Sequence, residues 1–164
     1  MREVVDRYFG SELGADVAAM EVGDVVVQRT PRREGASVFA GRGEEEAPVW
    51  ILVTRGRGVV SCSRLLYRVA CAWAEDFAAA DHLLRREFLE DLRAEVARSM
   101  DAEVRVEMWR VFTGGPGLPE SATVRPAVDA PVALCAAEDR DAARALLEAG
   151  AREYGRMARL VARR

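Results

Sequence analysis

The sequence predicts an α+β fold: a mixed or antiparallel sheet packed by two long central helices and a C-terminal helix. Three observations predict it. Apolar residues recur at helical spacing in three separate stretches. Short β-branched runs stand between those stretches. The order is helix, a run of strands, two helices, one to three strands, helix, which segregates the two kinds of element. The 164 residues fit one domain spanning 1–164.

Residues 2–9 and 12–20 carry Val4, Val5, Tyr8, Phe9, Leu13, Val17 and Met20 at helical spacing, weakened by Gly10 and Gly14. One broken helix or two short ones are expected there. Val22 and Val25–Val27 form a β-branched run, closed by the turn residues from Arg29 to Gly35, with Val38-Phe39-Ala40 as a short return strand. Val49–Thr54 is continuously apolar, as a central strand would be. Arg55-Gly56-Arg57-Gly58 then turns the chain, and Val59–Cys62 returns antiparallel beside it. From about Arg64 to Ser99 the pattern is helical, with a break near residues 77–81 that Asp81 could cap. Val104, Val106 and Met108 alternate with Arg105 and Glu107 in a half-exposed strand that reaches Phe112. Two weaker strands, Val124–Val128 and Val132–Cys135, flank Pro131. Finally Ala143, Leu146, Leu147, Tyr154, Met157 and Val161 mark one face of a helix from about Arg140 to Ala162. Its start carries Asp139 and Asp141 and its end arginines, as the helix dipole favours.

Composition narrows the chemistry. Half the residues are apolar, 31% are charged and the net charge is −3, which excludes a disordered tail and a disulfide scaffold. The slightly acidic balance also argues against nucleic acid as a partner. All 24 cations are arginine, with no lysine or asparagine in the chain, a usage that points to a high-GC bacterium. Lysine Schiff bases, lysine general bases and phosphate-loop lysines are therefore excluded. The single histidine, His82, reads as a surface or cap-adjacent residue. Cys62, Cys71 and Cys135 read as small buried hydrophobes, in spacings that match no zinc site. Three cysteines and a start without a signal pattern fit the cytoplasm, and no apolar run is long enough to enter a membrane.

Arg55-Gly56-Arg57-Gly58 is the main candidate site. Glycines let a backbone approach a phosphate, helix-start amides hold its charge, and arginines add donors. The plainer reading of the same residues is a hairpin turn between two valine-rich strands. Glu44–Glu46 reads as a solvated loop, Arg29, Arg32 and Arg33 as a salt-bridged one. Glu87, Glu90 and Asp91 pair with neighbouring arginines on a helix surface. Trp50, Trp73 and Trp109 read as core, or as the lining of one small-ligand pocket.

Arg55-Gly56-Arg57-Gly58-Val59-Val60 after a strand, followed by Leu65-Leu66-Tyr67-Arg68-Val69 and Ala72-Trp73-Ala74-Glu75, resembles the GNAT superfamily of acetyl-CoA-dependent N-acetyltransferases. Ala143-Arg144-Ala145-Leu146-Leu147-Glu148-Ala149-Gly150 is similar to the family's second helix pattern. The resemblance implies a cytoplasmic acyl-CoA-binding protein, with acetyl-CoA as cofactor and Arg55, Gly56, Arg57 and Gly58 at its pyrophosphate. Val60 stands where the family carries Gly or Ala, and Leu147 where it carries a tyrosine acid. A degenerate copy that lacks the full catalytic machinery is thus implied. The alternative is a non-catalytic regulatory domain that binds a protein partner or a second copy of itself. The coenzyme reading requires Val49–Thr54 to splay away from Val59–Cys62, whereas a closed hairpin argues against it.

Overall fold

The computed structural model describes residues 2–30, 45–74, 79–114, 123–127 and 130–163. In chain order the elements are α1 (Arg2–Leu13), β1 (Val25–Arg29), β2 (Glu45–Thr54), β3 (Arg57–Cys62), α2 (Tyr67–Ala74), a 3₁₀ helix (Ala80–Leu84), α3 (Arg86–Met100), β4 (Glu103–Thr113), β5 (Thr123–Ala127), β6 (Ala130–Ala136), α4 (Arg140–Glu148) and β7 (Arg152–Arg163). The strands form one seven-stranded sheet in the order β1-β3-β2-β7-β4-β6-β5. Every pair is antiparallel except β1 with β3. The α+β class is as expected, and the sheet is mixed.

The largest departure from the sequence expectation is at the C-terminus. The helix expected from Arg140 to Ala162 ends at Glu148, and Arg152–Arg163 is a strand in the middle of the sheet. Gly150 explains the break. It sits at φ +83°, its N–H bonds to Leu147 O, and the Ala151 N–H bonds to Leu146 O at 3.0 Å, the hydrogen-bond pair of a Schellman stop. Strand β7 is then bonded on both edges, to β2 and to β4. Its faces are both buried, Met157 on one and Ala158, Leu160 and Ala162 on the other. Alternation is thereby hidden, as in any strand covered on both sides.

The helical stretch expected as two long helices is in three pieces: α2 of 8 residues, the 3₁₀ helix of 5 and α3 of 15. No side-chain cap from Asp81 starts α3; Asp81 lies inside the 3₁₀ helix, whose Leu83 side chain is fully buried. The short strand expected at Val38–Ala40 lies outside the described residues.

Two apolar layers sandwich the sheet. On the front, Val5, Phe9 and Leu13 of α1, with Val17 and Met20 after it, pack on Trp50, Leu52, Val59 and Met157. On the back, Leu66 just before α2, Ala70 of α2, Leu83 of the 3₁₀ helix and Leu89, Leu92 and Val96 of α3 cover Val49, Ile51, Val60 and Leu160. At the β6 end of the back, α4 seats Ala143 and Leu146 on Phe112, Ala133 and Cys135. Asp139 caps α4, accepting from Ala142 N at 2.9 Å.

Candidate functional site

The Arg55–Gly58 segment closes a tight hairpin. Thr54 pairs with Arg57 across β2 and β3, leaving Arg55 and Gly56 as the two central residues, both at positive φ (50° and 73°). This is the primed two-residue turn that suits twisted antiparallel strands. Gly56 supplies the left-handed backbone that the second turn position needs. Arg55 adopts it at a cost of about 1 kcal/mol, because its Cβ crowds the carbonyl. Gly58 serves packing: a Cβ there would lie 2.5 Å from Leu83 Cδ1 and 3.2 Å from Ala80 Cβ, so its bareness lets the 3₁₀ helix settle on β3. Arg57 turns toward the front and donates from Nη1 to Val17 O at 3.0 Å. Thus the four residues expected at the pyrophosphate stay adjacent but diverge in role. The next α-helix starts only at Tyr67, beyond the far end of β3. The splayed strand and helix start of an amide cradle are not formed there.

What the hairpin does line is a cleft on the back face, about 700 Å3 in volume. Arg55 and Gly56 bound it at the turn, Asp81 and Leu84 on the 3₁₀ helix, and Glu153 and Arg156 on β7. Register brings the charges together: Arg156 stands opposite Val53 on one side and opposite Arg110 on the other. Two arginines facing each other across a ladder repel. Glu153 relieves this, accepting from Arg110 Nε at 3.1 Å and Nη2 at 2.7 Å, with Arg156 Nε 3.8 Å away. The hydrogen bonds from Arg110 hold the Glu153 carboxyl below the usual range, against a smaller opposing effect of burial. Among the described residues Arg55 forms no ion pair, so Arg55 and Arg156 leave positive charge that Asp81 balances only in part.

A second, larger groove of about 910 Å3 continues beside it, again bounded by Leu84. Its walls are Leu89 and Glu90 of α3, Val106 and Met108 of β4 and Ala136–Glu138 after β6. Sequence reasoning missed both cavities, because the first needs β7 beside the β2–β3 hairpin and the second needs α3 packed over β4.

The other candidates have structural partners. Tyr154 is buried on the front, stacked on Phe9 with ring centroids 5.2 Å apart, and its hydroxyl donates to the buried Asp6 at 2.5 Å. Burial, then the hydrogen bond to Asp6, push its hydroxyl far above the usual tyrosine range. The three tryptophans do not share a pocket. Trp50 and Trp109 stack at 6.1 Å on the front beneath Arg159, and Trp73 packs on Phe88 at the back. Arg159 is also bonded to Glu107 at 2.6 Å. Cys62 is buried, which pushes its thiol up to about 11, and donates to Gln28 O at 3.6 Å. Arg29 lies over the Tyr67 ring at 4.9 Å, and Glu90 pairs with Arg93 on the surface of α3. His82 sits half-buried in the 3₁₀ helix. Arg32, Arg33 and Glu44 lie outside the described residues. Among the described residues no cluster of His, Cys, Asp or Glu could hold a metal, and no helix is long and apolar enough to cross a membrane.

Comparison with protein-family models, curated proteins and solved structures finds no match to this chain.

Proposed function

We propose that this chain is a non-catalytic binding domain whose ligand site is the back-face cleft between the β2–β3 hairpin, β7 and the 3₁₀ helix. One observation carries the reading. Arg57 and Gly58, half of the expected phosphate loop, are committed to packing, while the guanidinium groups left over, Arg55 and Arg156, border an open cleft. Guanidinium groups bind and orient anions but stay protonated, so they are poor proton-transfer groups. Of the other polar residues that border the cleft, Glu153 is held by Arg110, and Tyr154 directs its hydroxyl to Asp6 on the other face.

A second reading keeps acyl-CoA as the ligand. Its support is that Arg55 and Gly56 do line the cleft, so a coenzyme pyrophosphate would rest on arginine side chains instead of on loop amides. The two readings part on turnover. Incubating the protein with acetyl-CoA and a panel of primary amines, while tracking free coenzyme thiol, should give no release above the blank. Release that scales with protein concentration would overturn the non-catalytic reading. Calorimetric binding of acetyl-CoA lost in Arg156→Ala, without thiol release, would make the coenzyme the ligand of a binding domain.

A further inference from the structure

The two back-face cavities meet at Leu84 and differ in character along their length. At the hairpin end stand Arg55 and Arg156, with Asp81 opposing them and Glu153 already engaged by Arg110. The sum of these five side chains is one positive charge. At the other end the wall is Leu89, Val106, Met108 and Ala136, with Arg86, Glu90, Glu107 and Glu138 at its margins. Val106 and Met108 are half-exposed although the same face of β4 buries Val104. The backbone position of Arg55 is a second, independent sign. A primed turn favours Asn, Asp or Gly at its first central position, yet an arginine holds it here at φ 50° and forms no ion pair among the described residues.

From these observations we infer that the groove takes an amphipathic small molecule, with an oxyanion head at Arg55 and Arg156 and a linear apolar tail along β4 under α3. This rests on the cleft being a ligand site, and it adds the class of ligand. Register sets the length. From Arg110, opposite Arg156, to Val106 is four residues of strand, or about 13 Å, which suits a medium-chain alkyl or acyl group. The head chemistry is that of a carboxylate or a phosphate monoester, both of which a guanidinium pair can grip through paired N–H donors. Head and tail are recognised separately, so neither alone is held well.

Calorimetry on the whole chain tests this with five probes: octanoate, octyl phosphate, inorganic phosphate, acetate and octanol. The expected result is binding of octanoate or octyl phosphate, the tighter of the two naming the head group. Phosphate and acetate, which lack the tail, should bind at least about a hundredfold more weakly, since each buried methylene contributes up to about fourfold. Octanol, which keeps the tail, should bind about a hundredfold more weakly for want of the charged head. Arg55→Asn keeps a residue suited to the turn and removes the guanidinium. Together with Arg156→Ala it should weaken the amphiphile about tenfold or more per arginine. Met108→Gln should weaken the amphiphile and leave phosphate unchanged. Equal affinity for phosphate and octyl phosphate would overturn the tail site while leaving the cleft as a ligand site. Binding of octanol as tight as that of octanoate would overturn the head site. No binding of any probe would remove both the inference and the cleft reading.

Discussion

Replacing Tyr154 by Phe removes a single oxygen from the front core and tests how α1 is tied to the sheet. The hydroxyl donates to Asp6 at 2.5 Å, and Asp6 is 7% exposed while the tyrosine is 5% exposed. The variant leaves the buried Asp6 carboxyl group without that donor. Stranding a buried acceptor costs about 1–3 kcal/mol, and we expect about 2 kcal/mol here. In a chain of this length that lowers Tm by roughly 4–8 °C, readable by calorimetry or circular dichroism. The pH dependence gives a second, sharper signature. An unfolded tyrosine releases its proton near pH 10, whereas the folded Tyr154 holds its own to a higher pH. Its contribution is therefore complete below about pH 10 and is lost as pH rises through the folded value. Cys62, raised to about 11, acts with the same sign, so wild type minus variant isolates the tyrosine. A Phe variant within about 0.5 kcal/mol of wild type, with the same alkaline decline, would refute the buried latch.

The same geometry sets three further outcomes. Gly155→Ala should destabilise more than Gly58→Ala. The new Cβ would meet Val53 backbone O at 2.4 Å in the first case and the Leu83 side-chain end at 2.5 Å in the second, so about 3 kcal/mol or more against about 1–2 kcal/mol is expected by urea unfolding. Glu153→Gln should flatten the acid side of the stability curve. Glu153 has a depressed carboxyl pKa, so its stabilisation is present above the ordinary glutamate value near 4.3 and lost as pH falls through the folded value. Because the pair is partly exposed, the change at neutral pH should be about 0.5–1 kcal/mol, and an unchanged acid slope would contradict the assignment. Gly150→Ala should cost about 1 kcal/mol in the same assay, since φ +83° is strained for alanine; a neutral result would show that α4 does not need this stop.

Much of the sheet can be read from the sequence, because β-branched runs bounded by Gly and Pro leave few alternatives. The Val49–Cys62 hairpin and the Val104–Phe112 strand are of this kind. The strand β7 is not readable in the same way, and the reason is physical. Its alanines, arginines, leucine and methionine are good helix formers. Burial on both faces then erases the period-two signal, and a bulge near Val111 lets Tyr154 and Met157 share a face three residues apart, as a helix would place them. Hydrogen bonding to two neighbouring strands overrides that local preference. The one local clue is Gly150, a residue suited to a helix stop as well as to a helix face. The candidate site divides the same way. Arg55 and Gly56 can be singled out from the sequence, but Arg110, Glu153 and Arg156 become neighbours only once β7 is placed between β2 and β4. The roles of Arg57 and Gly58 likewise depend on what packs above β3, which spacing alone does not give.

The position at which a ligand lands on the molecule decides whether the back-face cleft is a binding site. Amide chemical shifts of nitrogen-15-labelled protein, recorded during titration with octyl phosphate and with octanoate, report that position residue by residue. Saturable shifts are expected at Val53–Gly56, Asp81–Leu84 and Arg156, spreading along Val106–Met108. Shifts confined to α1 and the front face, or none at all with any anion, would contradict a cleft site.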